Sequence, residues 1–155
     1  MSKIRIQRAL LFTASVLATG LVARPAQAQT GLQYFAVTPC RAVDTRIGNG
    51  GIVQSGGFRG FTIKGVCGIP ASAKAVSLNL TVVGPGTDGF YSLWPFGGAF
   101  PDVSTIDFVA GEPAIANGAI VPLAVGTPDL NGVYGIGIPG VFTTNVLMDV
   151  TGYFQ

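Results

Sequence analysis

Histidine is missing from the chain altogether. Without it a serine or cysteine nucleophile has no imidazole base, so Ser-His-Asp and Cys-His chemistry are excluded. The same absence removes the commonest neutral nitrogen ligand for a transition metal. Charge is the second shortage. Asp, Glu, Lys and Arg together make up 10% of the sequence, too few for a strongly acidic or basic surface. Long helical stretches are the third. The chain carries 23 glycines and 10 prolines, and such frequent breakers argue for many short elements joined by turns. There is no collagen-like period and no internal repeat. An apolar content of 48% argues against disorder.

The little positive charge there is gathers at the start. Lys3, Arg5 and Arg8 precede an apolar stretch over 9–22, and Ala26-Gln27-Ala28 offers small residues at the −3 and −1 positions of a cleavage site. Residues 1–28 therefore read as a signal peptide cut after Ala28. The alternative is a retained membrane anchor, for which the apolar stretch is short. No cysteine follows the cut, which speaks against lipoprotein processing. Residues 29–155 hold five basic and seven acidic side chains, a net charge of −2. That balance lacks the electrostatic footprint of a nucleic-acid binder. It also lacks the polybasic cluster that holds proteins on anionic membranes. Neither nucleic acid nor, after cleavage, a membrane is expected as a partner.

Cys40 and Cys67 are the only cysteines. In an exported chain a lone pair is most simply a disulfide. The loop between them would contribute roughly 3–4 kcal/mol by restricting the unfolded chain. Two free thiols or a shared metal are the alternatives, the metal disfavoured by the lack of histidine. No D-x-D-x-D run marks a calcium loop, so no metal and no cofactor is expected.

Alternation of apolar and polar residues predicts strands over 32–37, 58–66, 75–83, 90–94, 103–108, 119–125, 132–138 and 144–154, with 40–46 extended as well. The clearest is 75–83, where Val76, Leu78, Leu80 and Val82 alternate with Ser77, Asn79 and Thr81. Pro39 ends the first strand or marks an edge, and Pro122 makes 119–125 an edge or bulged strand. Residues 47–60 read as a Gly-rich loop. The sum is an all-β, antiparallel β-sandwich of about eight or nine strands, jelly-roll or Ig-like. Residues 29–38 form an N-terminal strand or arm and 39–155 a single domain. An eight-stranded outer-membrane barrel is the rival, and the short strands speak against it.

Three groups of residues are candidates for function. Arg41, Asp44 and Arg46, joined by Asp149, form either a polar pocket for an anion or sugar, or a structural clamp. The clamp is favoured, because charges buried in an apolar domain must satisfy one another. Tyr91, Trp94 and Phe96, with Phe100 beside them, either stack on an extracellular glycan or fill the core. Glycoside hydrolysis needs two facing carboxyl groups. Asp88, Asp102 and Asp129 instead sit in turn-rich loops where aspartate bonds nearby backbone. Last, 32–37 either pairs within its own domain or adds to the sheet of a second copy, giving a homo-oligomer or filament.

Two stretches carry a family resemblance. Pro39-Cys40-Arg41-Ala42-Val43-Asp44-Thr45-Arg46 resembles the P-x-R-x-x-D-T-R opening of a group of secreted bacterial β-domains. Asp149-Val150-Thr151-Gly152-Tyr153-Phe154 resembles the D-V-x-G-Y-F ending of the same group, and Cys67-Gly68-Ile69-Pro70 with 77–82 fits its middle. The resemblance implies a secreted β-sandwich, sometimes used as an attachment module, and brings no catalytic residues. The expectation is a non-enzymatic structural or adhesive protein of the cell surface or matrix. The alternative is a glycan-binding module, which requires Tyr91, Trp94 and Phe96 to be exposed and coplanar.

Overall fold

The computed structural model describes residues 31–155. The expected leader over 1–28 lies outside the described residues. In chain order the strands are β1 (Tyr34–Asp44), β2 (Val53–Gln54), β3 (Phe58–Phe61), β4 (Ala75–Val83), β5 (Gly89–Pro95), β6 (Ile106–Phe108), β7 (Ala114–Pro122), β8 (Leu130–Gly135) and β9 (Thr143–Phe154). They make two antiparallel sheets. One runs β1-β9-β4-β7, with β2 also on β9, and the other runs β3-β8-β5-β6. The fold is an all-β sandwich of nine strands, and no helix occurs among the described residues. The sheets keep free edges and do not close into one barrel.

The alternation read from 75–83 sets the first sheet. Val76, Leu78, Leu80 and Val82 all point into the core, and Ser77, Asn79 and Thr81 remain on the solvated face. Val146, Met148 and Val150 of β9 do the same one strand over. The second sheet answers with Tyr91, Leu93, Ile106, Phe108, Leu130 and Tyr134. β2 links the two sheets. Val53 and Gln54 pair with Thr144 and Thr143, and Ser55 then bridges Tyr134 of the second sheet.

Several expected boundaries move. The strand expected over 58–66 stops at Phe61, because the chain turns through Gly65, Cys67 and Gly68, all with positive φ. The one expected over 103–108 shortens to Ile106–Phe108. The one expected over 119–125 runs instead from Ala114 to Pro122 and is a sheet edge. Residues 53–54, expected in a loop, form a short strand. β1 passes through Pro39, which falls in a break of register between Ala36 and Cys40 on an edge strand, where a missing N–H costs no ladder bond.

The disulfide Cys40–Cys67 is formed, with the two Cα atoms 5.8 Å apart. It ties β1 of the first sheet to the turn that follows β3 of the second. A second fastening was not legible in the sequence. Asp129 is fully buried. Its carboxylate accepts hydrogen bonds from the backbone N–H of Ile63 (3.0 and 3.2 Å to its two oxygens) and of Lys64 (2.9 Å). Its backbone N–H donates to the Phe61 carbonyl. One aspartate thus holds the chain where it leaves β3.

Two stability measurements check these fastenings. Replacing Asp129 by alanine leaves the buried Ile63 amide and the half-buried Lys64 amide without acceptors and is expected to cost about 2–4 kcal/mol in denaturant unfolding. Reducing the disulfide is expected to cost roughly 3 kcal/mol in the same assay. An Asp129→Ala midpoint equal to wild type would show that these amides find other acceptors.

Candidate functional site

The register of β1 on β9 places Arg41 directly opposite Asp149. The two side chains meet in a fork. Arg41 Nη2 donates to Asp149 Oδ2 at 2.9 Å, and Arg41 Nε donates to Asp149 Oδ1. The third guanidinium nitrogen, Nη1, reaches Asp44 Oδ2 at 3.3 Å. Asp44 ends β1, and the chain turns back on it. Arg46 donates to its carboxylate from Nε (2.9 Å), Nη2 (2.7 Å) and its own backbone N–H (3.0 Å). The Asp44 backbone N–H donates to Asn49 Oδ1, and its carbonyl accepts from Gly48. Thr45 is buried between them and β9, donating to Asn145 and accepting from the Val146 amide.

The four residues named from the sequence are therefore in one cluster of two cations and two anions. Its electrostatics follow from the contacts. Hydrogen bonding from Arg46 holds the Asp44 carboxyl well below the ordinary aspartate value of 3.8, against a partial desolvation that acts the other way. Hydrogen bonding to Asp149 raises the Arg41 guanidinium, and hydrogen bonding to Asp44 raises that of Arg46. A general acid needs its pKa pushed up toward neutrality, and Asp44 is moved in the opposite direction. The cluster is neutral as a whole, and the donors that could grip an anion are already turned on carboxylates. What the geometry does is join β1 to β9 and close the turn that leaves β1.

The aromatic group is arranged differently from what a sugar site needs. Tyr91 is fully buried, and Trp94 is 4% exposed. Tyr91 points into the core with its ring laid over Gly132, where a β-carbon would overlap it. Burial raises its phenol well above the ordinary tyrosine range. Trp94 lies on the outer face of the second sheet, but Phe58 and Phe100 cover it edge-on, each with ring centroids 5.4 Å away. Its indole N–H donates to the Gly98 carbonyl at 3.1 Å. Neither ring offers a face to a pyranose. Phe96 is 43% exposed and stands without them. The exposed aromatics on this face are Phe58 and Phe100, stacked on each other at 6.1 Å. No sequence motif marks Phe58. Its alternation with the core residues Phe61 and Ile63 was the only available signal.

No group of three or more Cys, Asp or Glu residues converges among the described residues in a way that could hold a metal ion. The receiving end of β9 is the other feature of note. Gly152 lies beneath the ring of Tyr34, whose hydroxyl donates to the Thr151 carbonyl at 3.1 Å. Tyr34 also packs on Phe154, and Phe35 stacks on Tyr153 with the rings 13° from parallel. The Gly-Tyr-Phe ending thus forms the seat of the N-terminal strand.

The ion cluster has a pH signature. A carboxyl whose pKa is depressed by folding stabilises the fold above its unfolded value and loses that contribution as pH falls through the folded value. Wild-type stability is expected to fall steadily as pH drops below 4. Asp44→Asn, unable to titrate, is expected to start lower at pH 7 and to decline less steeply. Asp44→Ala is expected to lower the melting temperature by several degrees, and a melt identical to wild type would remove the clamp. No family model, no curated protein and no solved structure matches the chain.

Proposed function

We propose that the protein is a non-enzymatic structural or adhesive β-sandwich of the cell surface or extracellular matrix that associates with copies of itself through its N-terminal strand. Support for a place outside the cytoplasm comes from the leader-like residues 1–28, from the disulfide, and from the likeness of 39–46 and 149–154 to secreted bacterial β-domains. No helix among the described residues is long and apolar enough to cross a membrane.

The observation that carries the self-association is how the N-terminal strand is held. Tyr34, Phe35 and Ala36 pair with Phe154, Tyr153 and Gly152 of the same chain. The register then breaks across residues 37–39 before Cys40, where the disulfide and the ion cluster take over. The strand therefore has two parts. The second is fixed covalently and by charge. The first is held by three register pairs, the Gln33–Gln155 backbone bonds, the Tyr34 hydroxyl on the Thr151 carbonyl and two aromatic contacts, with Tyr34 and Ala36 exposed and Phe35 and Val37 half-buried. Every copy carries the same seat, so exchange between two copies replaces each contact with its equal. Strand exchange of this kind is a low-cost route to oligomers.

Removing residues 29–37 tests it. The expected outcome, read by size-exclusion chromatography with light scattering and by electron microscopy, is loss of filaments and of oligomers built through that strand, with a folded sandwich left behind. Loss of the fold would make the strand an integral part of its own domain and end the proposal.

A further inference from the structure

The sandwich has four sheet edges, and three of them are blunted. β1 is interrupted by Pro39, by two breaks of register and by the Arg41 pair. β3 is four residues long and carries Arg59, and β6 is three residues long and carries Asp107. Short edges, bulges and charges are the usual defences against edge-to-edge pairing. β7 has no bulge and no charge, and its one proline, Pro122, stands at its last position. It is nine residues, Ala-Ile-Ala-Asn-Gly-Ala-Ile-Val-Pro, without a charge, and it pairs with β4 from end to end without a break of register.

The direction of its free groups follows from the ladder. Beyond one end of the pair the Leu123 N–H donates to the Lys74 carbonyl, and beyond the other the Gly84 N–H donates to the Pro113 carbonyl. Both fall on the same register as β4–β7, so the odd-numbered residues of β7 turn their N–H and C=O toward β4. The even-numbered ones, Ala114, Ala116, Gly118 and Ile120, turn theirs toward solvent, and Pro122, which has no N–H, closes the row. Their side chains are exposed, Ile120 to 64%. Beside the strand, between it and the β5–β6 connection, lies a groove of about 450 Å³, lined in part by Pro101, Val103, Ile120 and Pro122 and by no charged side chain.

We infer that β7 is an association surface and that its occupant is β7 of a second copy, paired antiparallel across a two-fold axis. The free groups favour a copy over a foreign strand. Pairing about Asn117 sets Ala114 opposite Ile120 and Ala116 opposite Gly118, so that every free donor of one strand meets a free carbonyl of the other and Pro122 falls outside the pair. A strand-binding edge selects foreign peptides through pockets for alternate side chains. Ala116 and Gly118 provide none, and a strand as small as themselves fits them best. Two uncharged edges also bring no like charges together. The result joins two copies of the β1-β9-β4-β7 sheet into one continuous sheet. This surface is separate from the N-terminal strand and does not depend on its exchange.

The test uses the full chain in solution with three variants. Wild type is expected to show at least twice the monomer mass by light scattering. Ala116→Lys combined with Ile120→Lys places charge on the outward face only, and is expected to halve that mass with an unchanged circular-dichroism spectrum. Asn117→Cys lies on the two-fold axis at a non-hydrogen-bonded pair, where Cβ atoms approach most closely. Under mild oxidation it is expected to give a thiol-sensitive dimer, while Val103→Cys, exposed across the groove, does not. A wild-type chain monomeric at every concentration overturns the inference. So does association that survives both lysines but ends when residues 29–37 are removed, which would assign it to the N-terminal strand instead. Association lost with the lysines and retained without residues 29–37 supports β7 and counts against strand exchange.

Discussion

β9 is paired along both of its edges, and the rest of the sandwich depends on that strand staying in register. On one side β4 pairs with it from Asn145 to Phe154, with one bulge. On the other side β1 is an edge strand broken by a proline, and backbone pairing alone fixes its register weakly. The fork between Arg41 and Asp149 removes the ambiguity, since a slip by one residue would turn the guanidinium to the core face. The disulfide then carries the constraint across the sandwich, from β1 to the turn behind β3. The opening stretch 39–46 is thus fastened to both sheets by two different kinds of bond. In a chain with so few charges, spending four of them here is understandable. Each is satisfied by another, and none is left to be desolvated alone.

How legible this was depends on the distance over which each feature is decided. Ala75–Val83 and the last strand were readable because the alternation is local and the buried face is uniform. The cysteine pair was readable by elimination. The tie between Asp44 and Arg46 was readable because the partners are two residues apart. β7 was misplaced because Ala, Asn and Gly near its start have the composition of a loop, and only β4 beside it makes them a strand. The sequence offers Trp94 as a candidate sugar platform. Its burial is decided by Phe58, which arrives from another strand, and by Phe100 from the following loop. Asp129 looked like an aspartate bonding its own turn, yet it accepts from amides of Ile63 and Lys64 across the fold. No sequence pattern marks such a long-range acceptor.

The glycines follow the same logic. Gly132 and Gly152 look like breaks in strands. Each is the floor on which a tyrosine ring lies, and the strand keeps its pairing because the ring supplies the missing apolar surface. Gly152, Tyr153 and Phe154 act on β1 together. The glycine admits Tyr34, and the two aromatics after it flank the arriving strand.

The position of the disulfide within β1 has a mechanical consequence. A pull applied to the chain at Gly31 first meets the Gln33–Gln155 bonds and then Tyr34, Phe35 and Ala36, which leave β9 one pair at a time, as a zip opens. At Cys40 the peeling stops, because the next link is covalent and hands the load to the other sheet. Beyond it the Arg41–Asp149 fork and the Asp44 turn are shielded from the tension. The domain therefore has a short compliant lead of a few residues followed by a stiff body. That combination lets the first strand yield under force while the sandwich behind it keeps its shape.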